Sequence, residues 1–189
     1  TFQADLTRRP ELDALVARVE DELGPIAALV NSAAIFDRAR FLDTSDELLD
    51  REWAVNARGP YLLTREVARR MVARGFGDVL NILDIGGSLN PWRNYSAYAM
   101  TKAAMASLTR CLALELAPAV RVNGIAPGAV LPREGMPQQE IDEVRERIPA
   151  GRFGSPGDVV ETALFLLTGP RFITGQIIAV DGGRSRSGA

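Results

Sequence analysis

Asp78-Val79-Leu80-Asn81-Ile82-Leu83, followed by a helix-patterned segment over 97–116 and then by Val120-Arg121-Val122-Asn123-Gly124-Ile125, decides the fold. The first run is short, apolar and bounded, as a strand buried on both faces must be. The middle segment repeats apolar residues at Ala104, Leu108, Leu112 and Leu116, a helical stripe. The last run alternates and ends at Pro127-Gly128, a strand feeding a loop. Strand, helix and strand in this order predict two parallel strands joined by a crossover helix.

The same alternation extends in both directions. Upstream, 11–23 has a helical spacing stopped by Gly24-Pro25, and 27–30 is a buried-strand run ending at Asn31. Asp43-Thr44-Ser45-Asp46 is rich in capping residues, and Thr44 with Glu47 fits a capping box. A long helix is expected from there to about Arg74, kinked at Gly59-Pro60. Downstream, 131–139 is polar and Pro-bearing like a loop, and a short helix is expected around 139–147. Ser155-Pro156 opens a helix to about Leu167. Residues 176–180 form a last strand closed by Asp181-Gly182-Gly183, and the Arg-Ser-Arg-Ser tail reads as solvated. The expectation is one α/β domain over 1–189, a doubly wound, mostly parallel, Rossmann-like sheet. No G-x-G-x-x-G follows a strand, so the first βαβ portion of such a fold is expected to lie outside these residues. The chain as written is then expected to bind a dinucleotide poorly.

Composition narrows the chemistry. The 189 residues carry 22 Lys+Arg against 24 Asp+Glu, no His and one Cys. Without His, Ser-His-Asp and Cys-His catalysis and His-ligated zinc are excluded, and no metal site is expected. A net charge of −2 without a basic block gives no footprint for nucleic acid or an anionic membrane. No apolar run approaches the ~18 residues that span a bilayer. The lone Cys111, on the apolar helix after Lys102, reads as a small core residue and fits a reducing cytoplasm.

Proton transfer must then fall to Asp, Glu, Lys, Tyr or water. Tyr98 and Lys102 stand four apart in Tyr98-Ala99-Met100-Thr101-Lys102, on one face of the expected helix. An ammonium beside a phenol favours the phenolate and lowers its pKa. Alone this spacing is common; its company is not. Asn31-Ser32-Ala33-Ala34 after an apolar strand, Asn56 in Val55-Asn56-Ala57-Arg58-Gly59-Pro60, the Tyr98/Lys102 pair, Arg121-Val122-Asn123 through Pro127-Gly128, and Asp181-Gly182-Gly183 occur in one order. Together they resemble the motifs of short-chain dehydrogenases/reductases along essentially the whole chain.

That resemblance implies Tyr98, Lys102 and Asn56 as catalytic residues, and Asp5, Asn31, Ala33, Tyr98, Lys102, Pro127 and Gly128 at the cofactor. It implies NADPH, with NAD as the alternative, a small-molecule substrate and a homotetramer. Two departures narrow it. The family's usual Ser is replaced by Asp84, fourteen residues before Tyr98, and Phe36 follows the Asn31 motif by two residues. Asp84 resembles the substrate-binding Asp of pteridine reductases, and Phe36 their pterin-stacking Phe. A carboxylate suits the ring N–H and amino donors of a pterin. Ala34 departs from that branch, which carries Ser there. Trp92 and Met136 are further candidates for a pocket wall. Three functions follow: reduction of a pterin or dihydropterin C=N bond, with Asp84 catalytic and Phe36, Asp84 and Tyr98 at the substrate; a generic alcohol or ketone dehydrogenase; and a non-catalytic sensing or scaffold protein without its cofactor half.

Overall fold

The computed structural model describes residues 1–187. Four parallel strands, β1 (Ala28–Asn31), β2 (Gly77–Ile82), β3 (Val120–Pro127) and β4 (Ile177–Val180), form one sheet in the order β1-β2-β3-β4. Helices cover both faces because β2 and β3 are apolar on both. Val79, Val120 and Val122 pack against Val16 of α1 (Arg9–Leu23), Val67 and Met71 of α3 (Gly59–Arg74) and Ala113 of α5 (Ser96–Glu115). Neighbouring Leu80 and Ile125 point the other way, onto Leu166 of α7 (Pro156–Thr168). The expected α/β architecture holds. The run at 27–30 is less enclosed than expected: β1 pairs only with β2, and its residues alternate between exposed and half-buried.

Local details differ from expectation for physical reasons. The cap of α2 (Asp46–Trp53) is Ser45, whose Oγ accepts from Leu48 N at 3.2 Å, while Thr44 donates its hydroxyl to Arg40 O at 3.0 Å. The long helix is broken not at Gly59-Pro60 but just before it, by a π turn over Ala54–Arg58. Such a turn inserts one residue and swings a side chain off the regular helix face. The stripe Ala104/Leu108/Leu112 on α5 is only half-buried; the fully buried face runs through Tyr98, Thr101, Lys102, Met105 and Thr109. Cys111 is exposed, so it is no core residue. A short helix, α4 (Ile85–Ser88), follows β2, and α6 (Gln138–Glu146) crosses ahead of α7. No helix is long and apolar enough to cross a membrane among the described residues.

Candidate active site

The carboxyl ends of parallel strands in an open α/β sheet leave a crevice where loops converge. Here the ends of β1, β2, β3 and β4 deliver Asn31, Asp84, Pro127-Gly128 and Asp181 to the same rim. A cavity of about 940 Å³ opens there, with Phe36, Asp84, Trp92, Tyr95 and Tyr98 on its walls.

Tyr98 and Lys102 lie one turn apart on α5, 6% and 4% exposed. The Lys102 ammonium donates to Ile82 O, the last carbonyl of β2, at 2.8 Å and stands 5.6 Å from the centre of the Tyr98 ring. Asp84 leaves β2 in extended conformation and caps α4, its Oδ1 accepting from Gly86 N. Its Oδ2 accepts from the Tyr98 hydroxyl at 3.3 Å. Gly87 lets α4 sit directly on this turn of α5: a Cβ there would lie 2.5 Å from Ala99 O and 2.7 Å from Lys102 Cβ.

Burial sets the proton balance. It pushes the Asp84 carboxyl up to about 6, against the pull of Gly86 N–H and the Lys102 charge. Burial, then the Asp84 charge, holds the Tyr98 phenol well above the ordinary tyrosine range, and burial lowers Lys102. The expectation that Lys102 depresses Tyr98 is therefore corrected. The nearest charge to the phenol is a carboxylate, and Tyr98 is held in its protonated, donating form.

Asn56 projects from the π turn, 2% exposed, and both ends of its amide are engaged by one residue. Its Oδ1 accepts from Ile35 N and its Nδ2 donates to Ile35 O, both at 2.8 Å. One turn earlier Glu52, wholly buried, accepts from Asp37 N at 3.0 Å. The two side chains thus grip the backbone on either side of Phe36. Phe36 stacks on Tyr95 at 4.5 Å and meets Tyr98 edge-on at 4.6 Å. Asn31 works inside the sheet, donating to Thr64 Oγ1 at 2.9 Å and to its register partner Asn81 at 2.8 Å; Asn81 continues to Thr109 Oγ1.

Of the other expected cofactor residues, Pro127 and Gly128 line the cavity with Asp84 and Tyr98, whereas Ala33 and Asp5 do not. Ala33 is exposed beyond β1; Asp5 lies in the N-terminal turn, its carboxylate accepting from Thr7 N and Thr7 Oγ1. Gly128 presses against Asp181, where a Cβ would lie 2.7 Å from Asp181 Cβ. Arg121 pairs with Asp78 at 2.7 Å and Asn123 clamps Ile173 O and Gln176 N, so that motif holds the sheet together. Ser88 has its hydroxyl buried without a protein partner and lines no part of the cavity. Trp92 and Met136 do line it.

A model of the family described as enoyl-(acyl carrier protein) reductase matches residues 1–185. The chain is a short-chain dehydrogenase/reductase. This dehydrogenase/reductase is 33% identical over 187 residues to an NAD-dependent glycerol dehydrogenase of Listeria innocua, covering 96% of this chain and 73% of that protein. It is 37% identical over 187 residues to a galactitol 2-dehydrogenase of Cereibacter sphaeroides, with 95% and 73% covered. Its fold superposes on a gluconate 5-dehydrogenase from Burkholderia cenocepacia, solved with NADP and tartrate, at a TM-score of 0.89 and 30% identity, covering 96% of this chain and 73% of that one. These relatives are dehydrogenases of alcohols and sugars, and they back the generic alcohol/ketone alternative better than pterin reduction. Sequence reasoning missed Glu52, Tyr95 and the cavity arginines Arg147 and Arg184. Glu52 carried a signal, standing four residues before Asn56 on the same helix face; the other three carried none.

Proposed function

We propose that this chain is part of an NAD(P)-dependent oxidoreductase that interconverts a carbonyl and an alcohol on a small, polar substrate. The observation that carries this reading is the buried Tyr98/Asp84/Lys102 group at the floor of the cavity. The residues present fit the nicotinamide half of the cofactor. Lys102 is a buried ammonium with one protein acceptor, Ile82 O, and its remaining N–H groups suit ribose hydroxyls. When bound, the nicotinamide supplies or accepts the hydride. Tyr98, held protonated, donates to the carbonyl oxygen as it gains charge, and the phenolate left behind is stabilised by the Lys102 charge. Asp84 orients the phenol and takes part in its proton balance, and Asn56 and Glu52 hold the Phe36 loop as a wall. An active oxidoreductase also leaves the scaffold reading without support, since a scaffold needs no buried, coupled proton group. A cytoplasmic homotetramer suits the single Cys111 and the family.

Asp84 and Phe36 also favour a second reading, reduction of a dihydropterin. A carboxylate accepts from pterin donors, and Phe36 is a half-exposed aromatic ring on the wall of the same cavity. The test is a substrate panel on the full-length protein with NADPH and NADH, comparing polyols and their ketoses, simple ketones and a dihydropterin. Turnover of polyols and ketoses above the dihydropterin is expected. A higher kcat/KM on the dihydropterin transfers the assignment to the second reading, and no turnover with any of them refutes both.

A further inference from the structure

The cavity that holds Tyr98 and Asp84 is also lined by arginines. Arg93, Arg133, Arg147 and Arg184 line it, against Asp84 and Glu140. Glu140 is taken by Arg133. Among the described residues, Arg147 and Arg184 make no ion pair and no side-chain hydrogen bond. Burial, and after it the Arg147 charge, disfavours the charged form of Arg184, while the Asp84 and Asp181 charges favour it. Two guanidinium groups lining one cavity raise its potential, and neither is held by a carboxylate in direct contact.

Their juxtaposition is built into the fold. Arg147 ends the α6 segment, and Ile148-Pro149-Ala150 beside it is the surface against which Asp181-Gly182-Gly183 turns. Gly182 and Gly183 take positive φ of 61° and 88°, and a Cβ on Gly182 would lie 2.7 Å from Ile148. Ala150 N donates to Gly182 O at 3.0 Å. The Asp181 carboxylate accepts from Gly183 N at 2.9 Å and Ser185 N at 2.7 Å, so its oxygens cap the turn and its charge acts on Arg184 only without direct contact. The Arg184 guanidinium is fixed over Trp92, 5.8 Å from the ring centre. The residues 184–187, expected as a solvated tail, thus place a half-buried cation in the cavity.

We infer that Arg184 and Arg147 form an anion-binding subsite in this cavity beside Trp92, and that the substrate carries a carboxylate or phosphate there while its carbonyl meets Tyr98. This rests on the oxidoreductase reading for the carbonyl end only; the anion end stands on the arginine pair. A guanidinium offers a planar fork that matches either oxyanion. The competing role for Arg184 is counter-ion to Asp84, whose charge it also feels.

The test is equilibrium binding, followed by the fluorescence of Trp92 beneath Arg184 and by calorimetry. D-gluconate, D-glucitol 6-phosphate and neutral D-glucitol are the probes, on the full-length protein. Removing one charge-assisted hydrogen bond corresponds to about tenfold to a hundredfold in affinity. Gluconate or the phosphate is expected to bind at least about tenfold tighter than glucitol, with the margin shrinking as salt rises. The better of the two anions names the group. Arg184→Gln should bring the anion-to-glucitol ratio close to one, Arg147→Gln should reduce it in part, and Arg184→Lys should keep most of it. Equal binding of anions and glucitol by the unaltered protein, no binding of any probe, or a ratio unchanged in Arg184→Gln would overturn the subsite. A ratio that survives while only Asp84 titration shifts in Arg184→Gln also overturns it, in favour of the counter-ion. Anion selectivity without turnover of any carbonyl would count against the oxidoreductase reading and leave the subsite standing.

Discussion

Replacing Asp84 with Asn tests the electrostatics of the site through stability rather than turnover. Asn keeps the size and can still cap α4 by accepting from Gly86 N. Its amide N–H then faces the Tyr98 oxygen that Asp84 Oδ2 now contacts at 3.3 Å. What disappears is a buried charge. Asp84 titrates near 6 in the folded chain against an ordinary 3.8, so ionising it disfavours the fold. At about 1.4 kcal/mol per unit the cost approaches 3 kcal/mol once both states are ionised. The sign follows from the raised value: the contribution of Asp84 to stability is fully present below about pH 4, is lost as pH rises through about 6, and is absent above it. Asp84→Asn removes that dependence. Chemical denaturation at about pH 8 should show the variant more stable by up to ~3 kcal/mol, a Tm gain of roughly 6–12 °C. At about pH 4 the gain should vanish, because both chains are then neutral at this position. A gain of equal size at both values, or no gain at about pH 8, would refute the burial argument. Turnover is expected to fall in the same variant, as where a destabilised group serves chemistry.

Tyr98→Phe removes one hydroxyl and should leave Tm within a few degrees while lowering kcat by about a hundredfold or more, as steady-state kinetics will show. Gly87→Ala places a Cβ 2.5 Å from Ala99 O and 2.7 Å from Lys102 Cβ, forcing α4 off α5. It should cost about 1–3 kcal/mol in denaturant titrations and depress kcat further than that loss of fold explains.

The architecture was legible because β2 and β3 are apolar on both faces. Val79 and Leu80 are successive residues that serve opposite helix layers, and only a sheet covered on both sides accepts such a run. The turn that carries Tyr98 and Lys102 was legible for a similar reason, since the two need only a helix to share a face. What stayed hidden depends on contacts between distant segments. The π turn under Asn56 follows from how α2 and α3 meet the loop at Ile35, not from Gly59-Pro60. Thr44 and Ser45 are equal as caps by residue type, and the chain entering from Arg40 chooses between them. Arg184 looks like tail until Asp181-Gly182-Gly183 is folded back on Ile148-Ala150.

The three ionisable groups are best understood as one unit, because each sets the others' proton. Taken singly, burial would neutralise all three: it raises Asp84 and Tyr98 and lowers Lys102. Taken together, Asp84 and Lys102 each supply the opposite charge that favours the other's ionised form, so the pair can stay charged in a dry site. The phenol between them then cannot ionise without placing a second negative charge beside Asp84, and it remains the one available donor. A ligand oxygen that draws a proton from Tyr98 inverts this balance, since the new phenolate pushes Asp84 toward protonation. Once that proton has passed to the ligand, Asp84 near 6 takes up a replacement from solvent in the cavity more readily than an ordinary carboxylate near 4, and can return it to the Tyr98 phenolate. The hydroxyl of the usual Ser can orient a phenol but holds no such reserve. Asp84 therefore governs how the site stores its proton beside the Tyr98–Lys102 pair.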